Sequence, residues 1–269
     1  MSGATATPKA ASEPGGRFRR LIDLARRDEG KVVGWLEDDV HHFGVTLIHD
    51  QEKVVDVAAA TVRFPYTTCG SAIVPFRSII GTPLTPRATD MGRVVEMQVQ
   101  CTHLYDLAAL LIGFAASGDA HKRFEAIIED RPFIGINAAR RRIMGPGEAR
   151  LLLDEVEVLH WELDGQTVTG PGIWTDLPLM NGFRQRTEQL DVALAEQAFV
   201  LRRAVMVSNG RTAVRYPLPR DRGWPGVCHT FQPHVRDYAE RIDGLRMNFE
   251  ESSAPMLAHV DKTPSAASD

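Results

Sequence analysis

The stretch KVVGWLEDDVHHFGVTLIHDQEKVVDVAAATVRF, Lys31–Phe64, decides how the chain reads. It holds three Val-rich runs, KVVGWLED, VHHFGVTLIHD and KVVDVAAATVRF, with turn-like corners at Asp38-Asp39 and Asp50-Gln51. β-branched runs punctuated in this way predict a three-stranded antiparallel meander. Successive side chains on a strand point to opposite faces of the sheet. His41, Phe43, Val45 and Leu47 therefore share one face, and His42, Gly44, Thr46 and Ile48 share the other. The adjacent histidines cannot both enter one site. The His41 face reads as core. The His42 face is small and fairly polar, which makes His42 the candidate catalytic histidine, with Asp39 in the turn to orient it.

Outward from the meander, RFRRLIDLARRD (17–28) reads as a first strand or a short helix, and CGSAIVPFRSIIG as a short helix with Ser71 as N-cap and Gly81 past its end. After a Pro-rich loop, Thr82–Arg87, GRVVEMQVQC reads as a strand. Thr102 is the expected cap of a helix, HLYDLAALLIGFAASG, ended by Gly118. KRFEAIIED and RLLLDEVEVLHWELDGQTVTG form a second β section, with a hairpin signal at Asp164-Gly165. A long helix is expected from Thr187 to Ser208, with Arg202 and Arg203 suiting its C-terminal dipole and Asn209-Gly210 as cap, and a last helix in CHTFQPHVRDYAERIDG. The class is α+β: antiparallel β-meanders packed on a long helix, two β-rich halves in one domain over residues 17–250, between disordered tails at 1–16 and 251–269.

Composition narrows the function. The 269 residues are 43% hydrophobic, enough for a self-sufficient core, and the net charge of −4 leaves no basic footprint for nucleic acid. The longest apolar run, Leu107–Ala116, is about half a membrane span, and the chain opens on no charged-then-apolar leader, so a cytoplasmic protein is expected. Three scattered cysteines read as reduced thiols. Neither a phosphate loop nor a dinucleotide fingerprint, nucleophile elbow or H-E-x-x-H is present, which argues against nucleotide cofactors, common hydrolases and zincins.

Two further stretches carry titratable groups. In RFPYTTC (63–69), Pro65 ends the third strand, and Arg63, Tyr66 and Cys69 fall on an irregular segment. There Arg63 suits clamping a carboxylate or phenolate, and Tyr66 suits binding or protonating an oxyanion. In CTHLYDL (101–107), His103 and Asp106 are three apart and share a helical face. The helix N-terminus lowers the pKa of an imidazolium there, and makes Cys101 a candidate thiol of lowered pKa. Cys69, Cys101, His103, Cys228 and His229 are the metal-ligating types available, but they lack the paired spacing of a zinc knuckle, so no metal is expected.

Taken together, GRFRR (16–20), LEDDVHHFGVTLIHD (36–50), TVRFPYTTCGSA (61–72) and CTHLYDLAAL (101–110) resemble the bacterial domain-of-unknown-function family 2889, from about Gly16 to Gly244. D-D-x-H-x-F and C-T-H-L-x-D-L are the more specific parts, and CHTFQP (228–233) is a weaker match. The resemblance implies a role in aromatic catabolism: a cofactor-independent lyase acting on a phenolic, lignin-derived arylpropanoid dimer, releasing formaldehyde from a γ-hydroxymethyl group. In that reading His42 or His103 moves the proton, Asp39 or Asp106 orients it, and Arg63 and Tyr66 hold the phenolate, with Asp106 and Cys101 also on the substrate side. A small aromatic substrate and a homodimer are the expected partners. The competing readings are an acyl-CoA thioesterase built like a hotdog, and a non-catalytic binding or assembly module.

Overall fold

Four strands open the chain and pair in sequence order: β1 (Arg17–Asp28), β2 (Lys31–Asp38), β3 (His42–His49) and β4 (Val54–Arg63). The expected meander is present, and the segment before it is a strand. The computed structural model describes residues 15–137, 142–211, 218–221 and 228–258. Past β4 come a 3-10 turn (Thr67–Ala72), the single-turn helix α1 (Ile73–Phe76) and two more 3-10 turns (Arg77–Ile79, Ala88–Arg93), then helix α2 (Thr102–Ser117). After α2, strand β5 (His121–Glu129) returns to pair with β1, so the sheet grows on its other side. A small hairpin, β6 (Phe133–Ile136) with β7 (Arg142–Met144), forms a separate two-stranded sheet. Then β8 (Gly147–Leu153), β9 (Val156–Asp164), β10 (Thr167–Gly170) and β11 (Leu177–Pro178) complete a nine-stranded antiparallel sheet in the order β11-β10-β9-β8-β5-β1-β2-β3-β4. A short helix α3 (Phe183–Thr187) precedes α4 (Val192–Ser208). The class is α+β, with a large antiparallel sheet and few helices.

Both longer helices lie on one face of this sheet, α2 over β1–β3 and α4 over β5, β8 and β9. That face carries Ile22 and Leu24 of β1, Val32 and Leu36 of β2, Phe43, Val45 and Leu47 of β3, and Trp161 of β9, all in one core with α2. α2 is buried from His103 to Ala115, because strands lie on one side of it and loops and α4 on the others. A helix enclosed in this way has no solvent stripe, which explains its apolar composition all round. The opposite face of β1 and β2 presents Leu21, Val33 and Trp35, and Phe249, Met256 and Leu257 cover it.

Several local expectations need correction. GRVVEMQVQC forms no strand: Val94 and Val95 both donate to the carbonyl of Met91, and Met91 and Val95 turn their side chains into the core around α2. Ser71 caps no helix. Pro75 lacks an N–H, only Ile73–Phe76 is α-helical, and the Ser71 hydroxyl donates to the carbonyl of Thr68. Thr102 is the first helical residue of α2, and Cys101 occupies the N-cap position with no side-chain cap bond. α4 starts later than Thr187, because the Asp191 carboxylate accepts from Leu194 N–H and fixes the first turn at Val192. The helix ends at Ser208 as expected, and its last turn holds no basic residue, so Arg202 and Arg203 lie before it. In the segment 228–244 only 3-10 turns form, at His229–Phe231 and Arg236–Tyr238. The expected C-terminal tail packs on the sheet as far as Leu257, whose N–H donates to Glu37. Residues 1–14 and 259–269 of the expected tails lie outside the described residues.

The approach of α2 to the sheet depends on Gly34. A Cβ there would lie 2.9 Å from Leu107 Cδ1 and 3.0 Å from Leu24 Cδ2. Gly34→Val is expected to lower stability by about 1–3 kcal/mol through overpacking, read as a shift of the urea midpoint with an unchanged slope.

Candidate functional site

The β1–β2 register sets Arg20 opposite Asp38, on the same face as the core residues of both strands. Both are fully enclosed. Arg20 donates from Nε at 3.0 Å and from Nη2 at 2.5 Å to Asp38 Oδ2. Asp38 ends β2, and its other oxygen, Oδ1, closes the turn into β3. It accepts the N–H groups of Val40 and His41, each at 2.9 Å, and lies 3.0 Å from His41 Nδ1. Burial alone would raise the Asp38 carboxyl, but the His41 and Arg20 charges outweigh it and hold the group well below the usual range. Asp38 is thus a carboxylate that only accepts. His41 Nδ1 therefore donates toward it, and Nε2 is the other ring nitrogen.

His41 lies on the helix side of the sheet, where its ring stacks on His103 with centroids 3.8 Å apart, and Phe43 stacks on His103 at 5.4 Å. His103 comes from the first turn of α2. Burial first, then the neighbouring His41 and Arg20 charges, push its pKa well below the histidine range, so it is neutral. Its Nε2 is buried with no hydrogen-bond partner among the described residues, and its Nδ1 lies 4.0 Å from the Cys101 thiol. Next along the same helical face, Asp106 pairs with Arg203 of α4 at 2.9 Å, and burial pushes its carboxyl up against the pull of that guanidinium. Arg203 and Tyr105 line a cavity of about 320 Å³ between α2, α3 and α4, and burial pushes the Tyr105 hydroxyl up to about 12.

Asp38, His41 and His103 offer ligand-type atoms all within 4.8 Å of one another, a spacing that suits a metal ion. The donor set argues otherwise. Both oxygens of Asp38 are already engaged, Oδ2 by a bidentate arginine and Oδ1 by two backbone N–H groups and the imidazole. The arrangement is that of a carboxylate orienting an imidazole, with a second, neutral imidazole stacked on it. It can take a proton at His41 Nε2 and hold the resulting cation beside Asp38.

His103 and Asp106 come together with His41 and Asp38. His42 does not. It lies on the opposite face, edge-on to Trp35 and 3.7 Å from Glu37, where Arg63 also pairs with Glu37 at 3.0 Å and packs over Phe249. Asp39 does not orient His42, because Arg211 holds it, together with Asp130 and Glu250. Tyr66 packs edge-on against Phe231 in a separate small cluster. The expected lowering of the Cys101 thiol is reversed: burial raises it far above the usual range, which leaves it a core residue. Among the metal-ligating types, Cys69 bonds Thr230 and His229 bonds Ser71.

Sequence pattern passes over Arg20, Asp38, His41 and Arg203. One signal for them exists: Arg20 alternates with Phe18, Ile22 and Leu24, a cation inside an apolar stripe. Such a residue is retained only against a buried anion.

These pKa shifts have a visible consequence. The unfolded chain protonates His103 near pH 6.5, whereas the folded chain resists until lower pH, so the stability it confers is whole above about 6.5 and drains away on acidification. Asp38 acts lower: its contribution is whole above about 3.9 and is lost as pH falls through its depressed folded value. Tm is therefore expected to fall between pH 7 and 5. His103→Phe should flatten that slope, leaving the smaller share of His49 and His229. A slope unaltered by the substitution would contradict a buried neutral His103.

Among the described residues, no helix is long and apolar enough to cross a membrane. No curated protein matches the chain. The elements that build the Arg20 partner carboxylate, the histidine pair and Asp106 fall inside a single matched region: residues 21–116 match the family model described as "Protein of unknown function (DUF2889)", the family whose motifs the sequence resembles.

Proposed function

We propose that the chain is an acid–base enzyme that cleaves a carbon–carbon bond of a phenolic arylpropanoid and releases formaldehyde. The observation that carries this reading is the Asp38–His41 dyad stacked on neutral His103 at the buried start of α2. Expulsion of the benzylic oxygen, driven by the para-phenolate, gives a quinone methide. A base then takes the γ-hydroxyl proton, the Cβ–Cγ bond breaks, and formaldehyde leaves. The bonding pair returns through the new Cα=Cβ bond to the ring, regenerating the phenolate. The sequence is redox-neutral and needs one base and one proton donor. His41 Nε2 suits the base, because Asp38 fixes its tautomer and stabilises the imidazolium. The expected roles of His42, Asp39, Arg63 and Tyr66 pass in this reading to His41, Asp38, Arg203 and Tyr105, which lie on the helix side of the sheet.

A second reading has one observation in its favour. An apolar helix lying across an antiparallel sheet, as α2 does, also suits a hotdog-like acyl-CoA thioesterase.

One experiment separates the two. The purified chain is incubated with phenolic dimers bearing a γ-hydroxymethyl group and, separately, with acyl-CoA esters, and formaldehyde and free thiol are assayed. Formaldehyde without thiol is expected, and His41→Gln should slow its release by about 10²–10⁴-fold while the fold, read by circular dichroism, is kept. Thiol release alone transfers the site to the thioesterase reading. Neither product, or a full rate in His41→Gln, overturns the lyase.

A further inference from the structure

The cavity between α2, α3 and α4 holds an unbalanced charge. Three arginines line it, Arg184, Arg202 and Arg203. Arg184 is paired with Glu188 at 2.7 Å and Arg203 with Asp106 at 2.9 Å. Among the described residues no carboxylate reaches Arg202 within ion-pair distance; its Nε donates to the carbonyl of Leu179, and its guanidinium lies over the Phe183 ring at 4.7 Å. Burial, with Arg203 beside it, pushes its pKa down to about 10 against the weaker, more distant pull of Asp106, as expected of a largely buried cation with no directly paired carboxylate. Cations in such settings are normally paired, because desolvation otherwise goes uncompensated.

The rest of the lining narrows what the counter-ion belongs to. Phe183 and Phe199 present aromatic surface, and Met97 and Met180 add adaptable thioethers. Tyr105 supplies a hydroxyl that stays protonated at neutral pH and can donate. Gly92 leaves room for it, since a Cβ there would come within 3.3 Å of Tyr105 Oη. A cavity of about 320 Å³ is at the small end of ligand sites, which span roughly 300–1,000 Å³. A flat ring carrying one planar anion matches this lining, since a guanidinium fork takes a carboxylate through two parallel bonds.

We infer that this cavity binds an aromatic carboxylate, with the acid group on Arg202 and the ring against Phe183, Phe199 and Met97. The inference names a substrate class for the acid–base reading above, and rests on that reading only for the chemistry after binding. Arg203 then has two faces, one on the cavity and one on Asp106, the residue one helical turn from His103.

Calorimetry on the full chain with 4-hydroxycinnamate and its uncharged methyl ester tests the assignment. The acid should bind at least ~10-fold more tightly than the ester, and Arg202→Gln should erase that preference by weakening the acid alone. Arg202→Lys, which keeps the charge but not the fork, should fall between. Equal binding of acid and ester, no binding of either, or a preference that survives Arg202→Gln overturns the inference. If Arg202→Gln fails to fold, the acid-to-ester ratio of the unmodified chain decides. Binding of the acid without formaldehyde release from any carboxylated phenolic dimer leaves the cavity assigned and removes the lyase. Release without an acid preference does the reverse.

Discussion

A buried carboxylate, Asp38, is the group on which the architecture turns. It joins β1 to β2 through Arg20, closes the turn into β3 through two backbone N–H groups, and fixes the His41 ring that stacks on the first turn of α2. Three segments distant in sequence thus meet at one acceptor. Burying an isolated carboxylate carries a large desolvation penalty, and here a bidentate guanidinium, two amides and an imidazole offset it. Taking away any one donor leaves charge in the core with less to balance it. Buried pairs of this kind are weak sources of net stability and strong sources of specificity of arrangement. Strand register, turn conformation and imidazole tautomer all depend on the same oxygens.

Packing explains why such a polar group lies inside. α2 is enclosed almost throughout its length, so its N-terminal turn is internal as well. The polar residues of its first two turns, His103 and Asp106, are buried and must find partners on the sheet and on α4. They find His41 and Arg203. Gly34 lets Leu107 and Leu111 sit down onto the strands, and the depth of that contact brings the His103 ring against His41. The opposite face of the same strands is closed differently. There Gly44 makes room for the Trp35 ring, and Phe249, Met256 and Leu257 seal it. One sheet therefore carries, on one side, a layer sealed by the C-terminal segment with Glu37, His42 and Arg63 at its edge, and on the other a polar cluster whose partner Arg203 lines a cavity.

Much of the framework is legible in the sequence because it is written in period two. The β2–β4 meander, the alternation along β3 and the Asp164-Gly165 hairpin come from local pattern and turn chemistry, and the structure has them, whereas residues 17–28, open between strand and helix in the sequence, are settled as β1 by pairing with β2 and β5. GRVVEMQVQC misleads for the same reason: its alternation is real, but its partner is a helix surface, which local pattern cannot name. The site is harder to read. Alternation correctly separates His41 from His42, but the apolar neighbours of His41 make it look structural. The missing information is non-local. Arg20 and Asp38 become partners only through strand register, and His103 reaches them only when α2 docks. Arg202 and Arg203 look like partners of the helix dipole because they lie near the end at Ser208 that the sequence marks. They stand more than one turn before that end and line the cavity that α4 forms with α2 and α3, neighbours that local pattern cannot name.

The Nε2 of His103, which has no hydrogen-bond partner among the described residues, gives the cluster its direction. An orphaned polar atom in a core costs about 1–3 kcal/mol, a large share of a domain's net stability. A structure built for packing alone would place an apolar ring there, and Phe43, stacked on the same imidazole, shows that an aromatic ring fits those surroundings. His41 and His103 instead differ in a useful way. The first has its Nδ1–H committed to an anion. The second is held neutral by burial and by its cationic neighbours, and keeps an unused nitrogen. Two stacked imidazoles in such different surroundings, one donating to a carboxylate and one held neutral by burial, have the components of proton transfer. Neither residue type nor sequence spacing sets that difference. It comes from Asp38 lying on one side of the stack and apolar helix on the other.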